Sequence, residues 1–455
     1  MLAGLALPAW SQTTAPGKWT ADWDVLNRHK VPDWILDAKI GVQYVGEPMD
    51  LNDFNGWLWG RSAWRHRENG APPPTAHELL WKDKFTFRGG FPRVFEHNPI
   101  KDTDAVLARY KDLGARFVVS MREAAYPGTE GLWMDQREIA SARKLGMKVG
   151  VHYNLIRRDG VPSIGDAGYV DWTQTRMRKA VEEADADFVF FDGCQFAPSG
   201  YFKTDEFVAW YYNWADRKGK QVWVNDDLGN DRQETGEYGD LVDYESCTVE
   251  GISPKPWINW DILRNDWACW INEFGVHRLN GKKWVWEYKP PAQLIRVFLD
   301  VVSKGGVWLV QMDNTGQSWK NMEEIGAWLK VNGEAIYGTR PYGKVAEHVV
   351  RIPAVEDKPK NGQAWWWQFQ EVMKTTEKNG PLYYTRKGND LYAIHYGWPG
   401  ASVKIEGVQP KPGSKIRMLG VDEDLPWRQE GSAIVVQSPS RQPCKYAYSY
   451  RIPLK

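Results

Sequence analysis

The stretch Asp187–Gly193 reads Asp-Phe-Val-Phe-Phe-Asp-Gly, in which two carboxylates flank four apolar residues and a glycine follows. A short apolar run without proline is typical of a strand buried on both faces of a parallel sheet. Seven further runs of this kind lie between residues 36 and 340: Ala38–Val45, Ala115–Arg122, Met147–Asn154, Gln221–Asp227, Gly239–Ser246, Trp267–Asn272 and Gly306–Asp313.

Helical stretches separate these runs, among them Asp102–Leu113, Asp135–Leu145 and Trp172–Ala184. Gly114 and Gly146 follow two of the helices, at the position where a left-handed helix end favours glycine. Eight strands in alternation with helices predict an α/β fold, a (β/α)8-type barrel, with a doubly wound parallel sheet as the alternative.

After Pro341 the pattern changes to short strand-like runs that are separated by turn residues such as Gly-Asn and Pro-Gly. Such a pattern predicts a C-terminal antiparallel β-sandwich. Its predicted strands are Leu391–Tyr396, Ser402–Ile405, Lys415–Leu419, Ala433–Val436 and Ala447–Ile452. We therefore expect three parts: a tail over residues 1–20, a catalytic barrel over 21–342 and the sandwich over 343–455.

The composition excludes several classes of protein. Lys and Arg number 58 and Asp and Glu also number 58, so a globally basic nucleic-acid-binding protein is excluded. No run of about 18 apolar residues occurs, so we expect no membrane span. The 27 Trp residues are many for this length. Their flat faces suit the apolar faces of sugars, and hydrophobic clusters are the alternative explanation.

The N-terminus reads Met-Leu-Ala-Gly-Leu-Ala-Leu-Pro-Ala-Trp-Ser-Gln, which resembles the end of a secretory signal peptide. We therefore expect a secreted or periplasmic protein, with an unstructured tail as the alternative. The four cysteines show no metal-ligand spacing, so free thiols or one incidental disulfide are expected. They are Cys194, Cys247, Cys269 and Cys444.

Carboxylates follow three neighbouring strands of the predicted barrel. Asp192 ends the fourth run, Asp226 lies in the fifth and Glu245 lies near the end of the sixth. The active site of such a barrel lies at the carboxyl ends of its strands, and glycoside hydrolysis needs two carboxyl groups. A helix cap or a solvated loop is the alternative for each one. Phosphate-binding, dinucleotide-binding, zinc-protease and serine-hydrolase motifs are absent.

Several stretches resemble the α-L-fucosidases of glycoside hydrolase family 29, and the resemblance covers roughly residues 33–455. The most specific are Leu299–Gly306, Ile325–Pro341, Phe190–Gly193, Val224–Asp226, His77–Trp81 and Tyr384–Gly388. The resemblance implies a retaining exo-α-glycosidase with Asp192 as the nucleophile and Glu245 as the general acid/base. Glu250 is the rival for the acid/base role.

The sugar-binding motifs of the family are replaced in this chain. Gln43-Tyr44 stands where the family has His-Trp, and Met121–Tyr126 contains no histidine pair. We therefore expect a substrate related to L-fucose that can carry a modification, on an oligosaccharide or polysaccharide. The expected substrate-binding residues are Gln43, Glu78, Arg122, Glu123, Trp133, His152, Tyr153, Asp226, Trp257 and Trp267.

Alternatives remain for these residues and for the function. Arg122 suits a sulfate or carboxylate but equally a structural ion pair, and His152 could be a core imidazole. Each Trp could belong to the core. No metal or organic cofactor is expected, nor a nucleic-acid partner, and the oligomeric state stays open. The alternative functions are a non-catalytic glycan-binding or scaffold protein and a transglycosylase.

Overall fold

The fold is described from a computed structural model. It describes residues 17–44, 102–120, 134, 136–155, 165, 168–194, 197–232, 235, 237–244, 248–263, 278–280, 283–285, 288–312, 316–348 and 380–455. The described helices are α1 Trp23–Leu26, α2 Asp33–Ala38, α3 Thr103–Asp112, α4 Gln136–Lys144, α5 Tyr169–Ala184, α6 Ser199–Phe202, α7 Thr204–Lys218, α8 Pro291–Ser303 and α9 Gly316–Asn332, with a 3-10 turn at Gly333–Ala335.

The described strands fall into a barrel, a hairpin and a C-terminal domain. The barrel strands are β1 Ile40–Tyr44, β2 Phe117–Ser120, β3 Lys148–Asn154, β4 Phe188–Asp192, β5 Trp223–Val224, β6 Val242–Asp243, β7 Trp257–Ile262 and β10 Gly306–Met312. The hairpin is β8 Arg278–Asn280 with β9 Lys283–Val285. The C-terminal strands are β11 Arg340–Glu347, β12 Leu382–Lys387, β13 Asp390–Tyr396, β14 Ser402–Ile405, β15 Arg417–Met418, β16 Trp427–Glu430, β17 Ala433–Gln437 and β18 Ala447–Pro453.

The eight barrel strands are parallel and lie in the order β5-β4-β3-β2-β1-β10-β7-β6. The strands at the two ends of this order, β5 and β6, are joined by a parallel bridge between Asn225 and Leu241. Because the spatial order follows the chain order and the ends meet, the sheet is a (β/α)8-type barrel. The prediction of this fold is confirmed, and the doubly wound alternative is wrong.

One predicted strand is misplaced. The seventh barrel strand is Trp257–Ile262, which pairs with β10 on one side and β6 on the other. The predicted seventh run, Trp267–Asn272, lies outside the described residues. The sequence Trp-Ile-Asn-Trp-Asp-Ile places polar residues at alternate positions, so it lacks the continuous apolar pattern of the other runs.

The interior of the barrel is filled by large side chains that face glycines. A Cβ atom at Gly41 would lie 2.2 Å from the ring of Phe117, and one at Gly150 would lie 2.1 Å from the ring of Phe188. The Phe188 ring stacks on the Trp223 ring with centroids 4.6 Å apart. These rings pack the lower part of the barrel, so any ligand must bind above them at the carboxyl ends of the strands.

The helices surround the barrel as the sequence predicts. Asp102 caps α3 by accepting a hydrogen bond from the N–H of Ala105 at 3.1 Å. Gly114 and Gly146 have φ values of +106° and +69°, which confirms the left-handed helix ends expected there. Among the described helices, none has the length and apolar character needed to cross a membrane.

The C-terminal strands form two antiparallel sheets, β11-β12-β13-β18-β15 and β14-β17-β16, which share one apolar core. This arrangement confirms the predicted β-sandwich. Its first strand begins at Arg340, so it crosses the predicted domain limit between residues 342 and 343. The indole N–H of Trp328 in α9 donates to the carbonyl of Ala447 at 2.8 Å, which joins the sandwich to the barrel.

Some sequence predictions lie outside the described residues. Residues 1–16, which carry most of the signal-like segment, are among them, as are Cys247 and Cys269. The other two cysteines, Cys194 and Cys444, are free thiols. No group of three or more His, Cys, Asp or Glu side chains that could hold a metal ion occurs within the described ranges.

Candidate active site

Asp192 is the last residue of β4 and its side chain faces the barrel interior. Inward and outward residues alternate along the strand, so Asp192 follows Phe188 and Phe190 on the inner face. Its Oδ1 accepts the N–H of Gly193 at 2.6 Å, and its Oδ2 lies 3.4 Å from Nε2 of His152. Only 8% of Asp192 is exposed. The carboxylate is therefore held in one orientation at the mouth of the barrel.

The backbone that carries Asp192 is fixed from both sides. Toward β3, the carbonyl of Asp192 accepts the N–H of Leu155 at 2.8 Å. Toward β5, the side-chain amide of Asn225 takes the place of a backbone partner for Phe191. Its Oδ1 accepts the N–H of Phe191 at 2.7 Å, and its Nδ2 donates to the carbonyl of Phe191 at 2.9 Å. The buried amide therefore extends the pairing beyond the two residues of β5.

The floor beside Asp192 combines aromatic rings with amides. The rings of His152 and Phe190 stack with centroids 5.9 Å apart, and the ring of Trp260 meets Phe190 edge-on at 5.6 Å. The indole N–H of Trp260 donates to Oε1 of Gln43 at 2.6 Å, and Nε2 of Gln311 donates to the same oxygen at 3.2 Å. Two donors on one oxygen fix the orientation of the Gln43 amide.

The amide nitrogen of Gln43 is fully buried and has no hydrogen-bond partner among the described residues. A buried donor of this kind costs free energy unless a ligand or water accepts from it. An apolar floor next to a donor suits a sugar ring, which presents C–H bonds on its faces and oxygen atoms at its edges.

A second set of buried carboxylates lies at the carboxyl ends of β5 and β6. Oδ1 of Asp226 accepts the N–H of Asp243 at 2.8 Å, so Asp226 links the two strands.

Cys194 lies beside these carboxylates. Burial raises the pKa of the Cys194 thiol, and so does the nearby carboxylate of Asp227, which accepts a hydrogen bond from that thiol. Cys194 therefore stays a thiol and provides no nucleophile.

The structure brings Gln43, His152, Asp192 and Asp226 to this end of the barrel, but it places two predicted residues elsewhere. Tyr153 faces α5, where its hydroxyl lies 3.5 Å from the carbonyl of Thr173, and burial raises its pKa. Trp257 begins β7 and is fully buried, and its indole N–H donates to the carbonyl of Lys304. Neither side chain offers a face to a sugar.

The remaining predicted residues divide into two groups. Glu250, the rival acid/base, is described and is exposed. The others lie outside the described residues: Glu78, Arg122, Glu123, Trp133, Glu245 and Trp267.

Three residues of the site escaped the sequence analysis: Asn225, Trp260 and Gln311. Trp260 was missed because the seventh strand was misplaced; with β7 at Trp257–Ile262, alternation assigns Trp257 to the outside and Trp260 to the inside. Gln311 pairs in register with Gln43 across β10 and β1, so the same alternation places both side chains inside.

Comparison with known proteins identifies the family to which the chain is related. The family model for alpha-L-fucosidase matches residues 135–334, and the model for the alpha-L-fucosidase C-terminal domain matches residues 375–453. Together the two models match more than half of the chain.

Full-length relatives and solved structures match as well. The chain is 23% identical to an alpha-L-fucosidase of Branchiostoma floridae over 96% of each chain, and 23% identical to human tissue alpha-L-fucosidase over 96% of this chain and 92% of that one. The fold matches that of Thermotoga maritima alpha-fucosidase in complex with fucose, with a TM-score of 0.62 at 17% identity, over 95% of this chain and 100% of that chain.

The barrel, the sandwich and the matched family models define a glycoside hydrolase. The chain belongs to the α-L-fucosidase family, as the sequence resemblance indicates.

Proposed function

We propose that the chain is a retaining exo-α-glycosidase that releases a terminal α-linked sugar of the L-fucose type from a glycan. The observation that carries the proposal is the setting of Asp192: an inward carboxylate at the end of a buried strand, which accepts the N–H of Gly193 and lies 3.4 Å from the imidazole of His152. A nucleophile needs this fixed orientation because the attacking oxygen must lie in line with the bond that breaks.

In the proposed first step, an oxygen of Asp192 forms a bond to the anomeric carbon while the bond to the leaving oxygen breaks. Glu245 gives its proton to that oxygen, which leaves as an alcohol. In the second step, water attacks the same carbon, Glu245 takes a proton from the water, and the Asp192 carboxylate is released. Two inversions at the anomeric carbon retain its configuration. In retaining enzymes the two carboxyl groups, here those of Asp192 and Glu245, lie about 5–5.5 Å apart.

The proposed sugar pocket departs from that of the family. We propose that the Gln43 amide donates to an oxygen of the sugar and that Trp260 packs against its ring, with His152 between Trp260 and the nucleophile. Such a pocket selects sugars that present an oxygen to Gln43, because an analogue without it leaves a buried donor unsatisfied. Gln43 stands at the His-Trp position of the family, so this selection concerns a sugar related to L-fucose rather than fucose itself.

The test is product stereochemistry combined with removal of the nucleophile. A panel of 4-nitrophenyl glycosides that includes α-L-fucoside and α-L-galactoside identifies the sugar, and NMR of the first product should show the α anomer. Asp192→Asn should lose activity by about 10³-fold or more. Asp192→Gly with added azide should give the glycosyl azide of inverted configuration, since azide can occupy the vacated space.

The exposed residue Asp171 on α5 offers a matched control, and Asp171→Asn should keep full activity. A β anomer as the first product, or a fully active Asp192→Asn enzyme, would overturn the proposal. Product analysis with an added sugar acceptor separates hydrolysis from transfer to the acceptor.

A further inference from the structure

The motif Leu299–Gly306, which carries much of the family resemblance, contributes no residue to the sugar pocket described above. It spans the end of α8 and the start of β10. Its two charged residues are both buried: Nζ of Lys304 lies 2.8 Å from Oδ2 of Asp300, one helical turn away. A buried ion pair is expensive to desolvate, so packing alone does not account for it.

The remaining hydrogen bonds of this pair go to the connection between β6 and β7. Oδ2 of Asp300 accepts the hydroxyl of Thr248, and Nζ of Lys304 donates to the carbonyl of Val249 at 2.6 Å. Nζ of Lys304 also lies 3.3 Å from the Thr248 hydroxyl. Four buried polar groups thus form one closed network between α8 and residues 248–249. We call this network the α8 clamp.

Two other residues of the motif assist the clamp. Gly305 has a φ of +88°, which turns the chain from α8 into β10. A Cβ atom at Gly306 would lie 2.6 Å from the indole of Trp257, so glycine leaves room for the first residue of β7. The carbonyl of Lys304 accepts the Trp257 indole N–H at 3.2 Å. The motif therefore contacts the β6–β7 connection at residues 248–249 and at its junction with β7.

Both candidates for the general acid/base lie on this connection. Glu245 precedes Thr248 by three residues, a distance that an extended chain spans in about 10 Å at most. Glu250 directly follows Val249. We propose that Asp300 and Lys304 are positioning residues, which hold the segment that presents the acid/base to the leaving oxygen. This inference rests on the proposed function.

The distinguishing property is dependence on the leaving group. A 4-nitrophenolate leaves without a proton, whereas an unsubstituted phenol needs one from the acid. Lys304→Met should therefore reduce kcat/KM for the phenyl glycoside about 10²-fold more than for the 4-nitrophenyl glycoside of the same sugar, beginning with L-fucose. Glu245→Ala should show the same difference, and Glu250→Ala is measured beside it.

A purely structural loss would affect both leaving groups equally. Lys220→Met serves as the matched control, because Lys220 also pairs with carboxylates at the amino ends of barrel strands, Asp185 and Asp187 before β4, but does not contact residues 248–249. If Lys304→Met does not fold, Asp300→Leu/Lys304→Met removes both buried charges and should fold while keeping the leaving-group effect.

Hydrogen exchange of residues 244–256 gives a readout that does not need activity, and it should accelerate in Lys304→Met but not in Lys220→Met. The clamp alone would be overturned if Lys304→Met lowered kcat/KM equally for the phenyl and the 4-nitrophenyl glycoside, while Glu245→Ala or Glu250→Ala lowered it much more for the phenyl glycoside. No difference in either Glu245→Ala or Glu250→Ala would overturn the proposed acid/base role instead. Unchanged exchange in residues 244–256 also counts against the clamp.

Discussion

The Nε2 atom of His152 lies 3.4 Å from Oδ2 of Asp192, inside a barrel where the imidazole is almost completely buried. His152→Phe keeps an aromatic ring against Phe190 but removes both ring nitrogens. We expect kcat to fall about 10–100-fold with little change in KM, because the carboxylate loses a neighbour that orients it. Steady-state kinetics with circular dichroism checks this, and an unchanged kcat would contradict it. His348→Phe, at an exposed histidine, is the control.

Asn225 offers a test of the backbone support for the nucleophile. Asn225→Asp keeps an acceptor for the N–H of Phe191 but loses the donor to its carbonyl, and it places a charge beside Asp243. We expect the free energy of unfolding to fall by about 1–3 kcal/mol, with a loss of kcat. Urea denaturation measures the first effect. Full stability in Asn225→Asp would show that the amide donor contributes nothing.

Lys39 makes stability depend on pH in a defined direction. Burial, assisted by the Arg340 guanidinium, lowers the pKa of Lys39 from 10.5 to about 7. Between these values the unfolded chain binds more protons than the folded one, so stability rises with pH, and the cost of burial is complete below pH 7. Lys39→Met should therefore raise the free energy of unfolding by about 1–3 kcal/mol at pH 6, and by less at pH 10.

Urea denaturation at pH 6, 8 and 10 tests the effect of Lys39→Met. Lys330→Met, which breaks an exposed ion pair with Asp112, is the control and should change stability little at any of these pH values. A Lys39→Met protein that is less stable than the wild type at pH 6 would refute the expectation.

Gly150 tests the packing beneath the site. Its Cβ position lies 2.1 Å from the Phe188 ring, so Gly150→Ala should lower the free energy of unfolding by about 1–3 kcal/mol. Gly150→Ala/Phe188→Leu should recover part of this loss, because the smaller side chain leaves space for the methyl group. Thermal unfolding of the single and double variants measures the coupling, and strictly additive losses would exclude a direct clash.

Local patterns predicted most of the barrel because its strands are buried on both faces. The run before Asp192 is apolar at every position, so its burial can be inferred without its neighbours. The strand Trp257–Ile262 differs, since Asn259 and Asp261 point outward from it. Asp261 is nevertheless buried, because its Oδ1 pairs with Nζ of Lys289 at 2.6 Å. Lys289 lies 28 residues further along the chain. A pattern confined to the strand carries no trace of that partner.

The candidate site was predictable to the extent that it depends on the strand ends. Asp192 and Gln43 followed from motif and position, and the structure places both inside the barrel. The role of Asn225 was not predictable, because an asparagine at a strand end suits a turn equally well. Only the distance of its amide from the backbone of Phe191 reveals what it does.

The barrel closes between β5 and β6, which are two residues long and meet at the Asn225–Leu241 bridge. Side chains supply much of the bonding at this seam: Asp240 accepts the N–H of Val224, and Asp226 accepts that of Asp243. Closure of the cylinder at this seam therefore depends on two aspartate side chains, which supply hydrogen bonds where longer strands would use their own backbone.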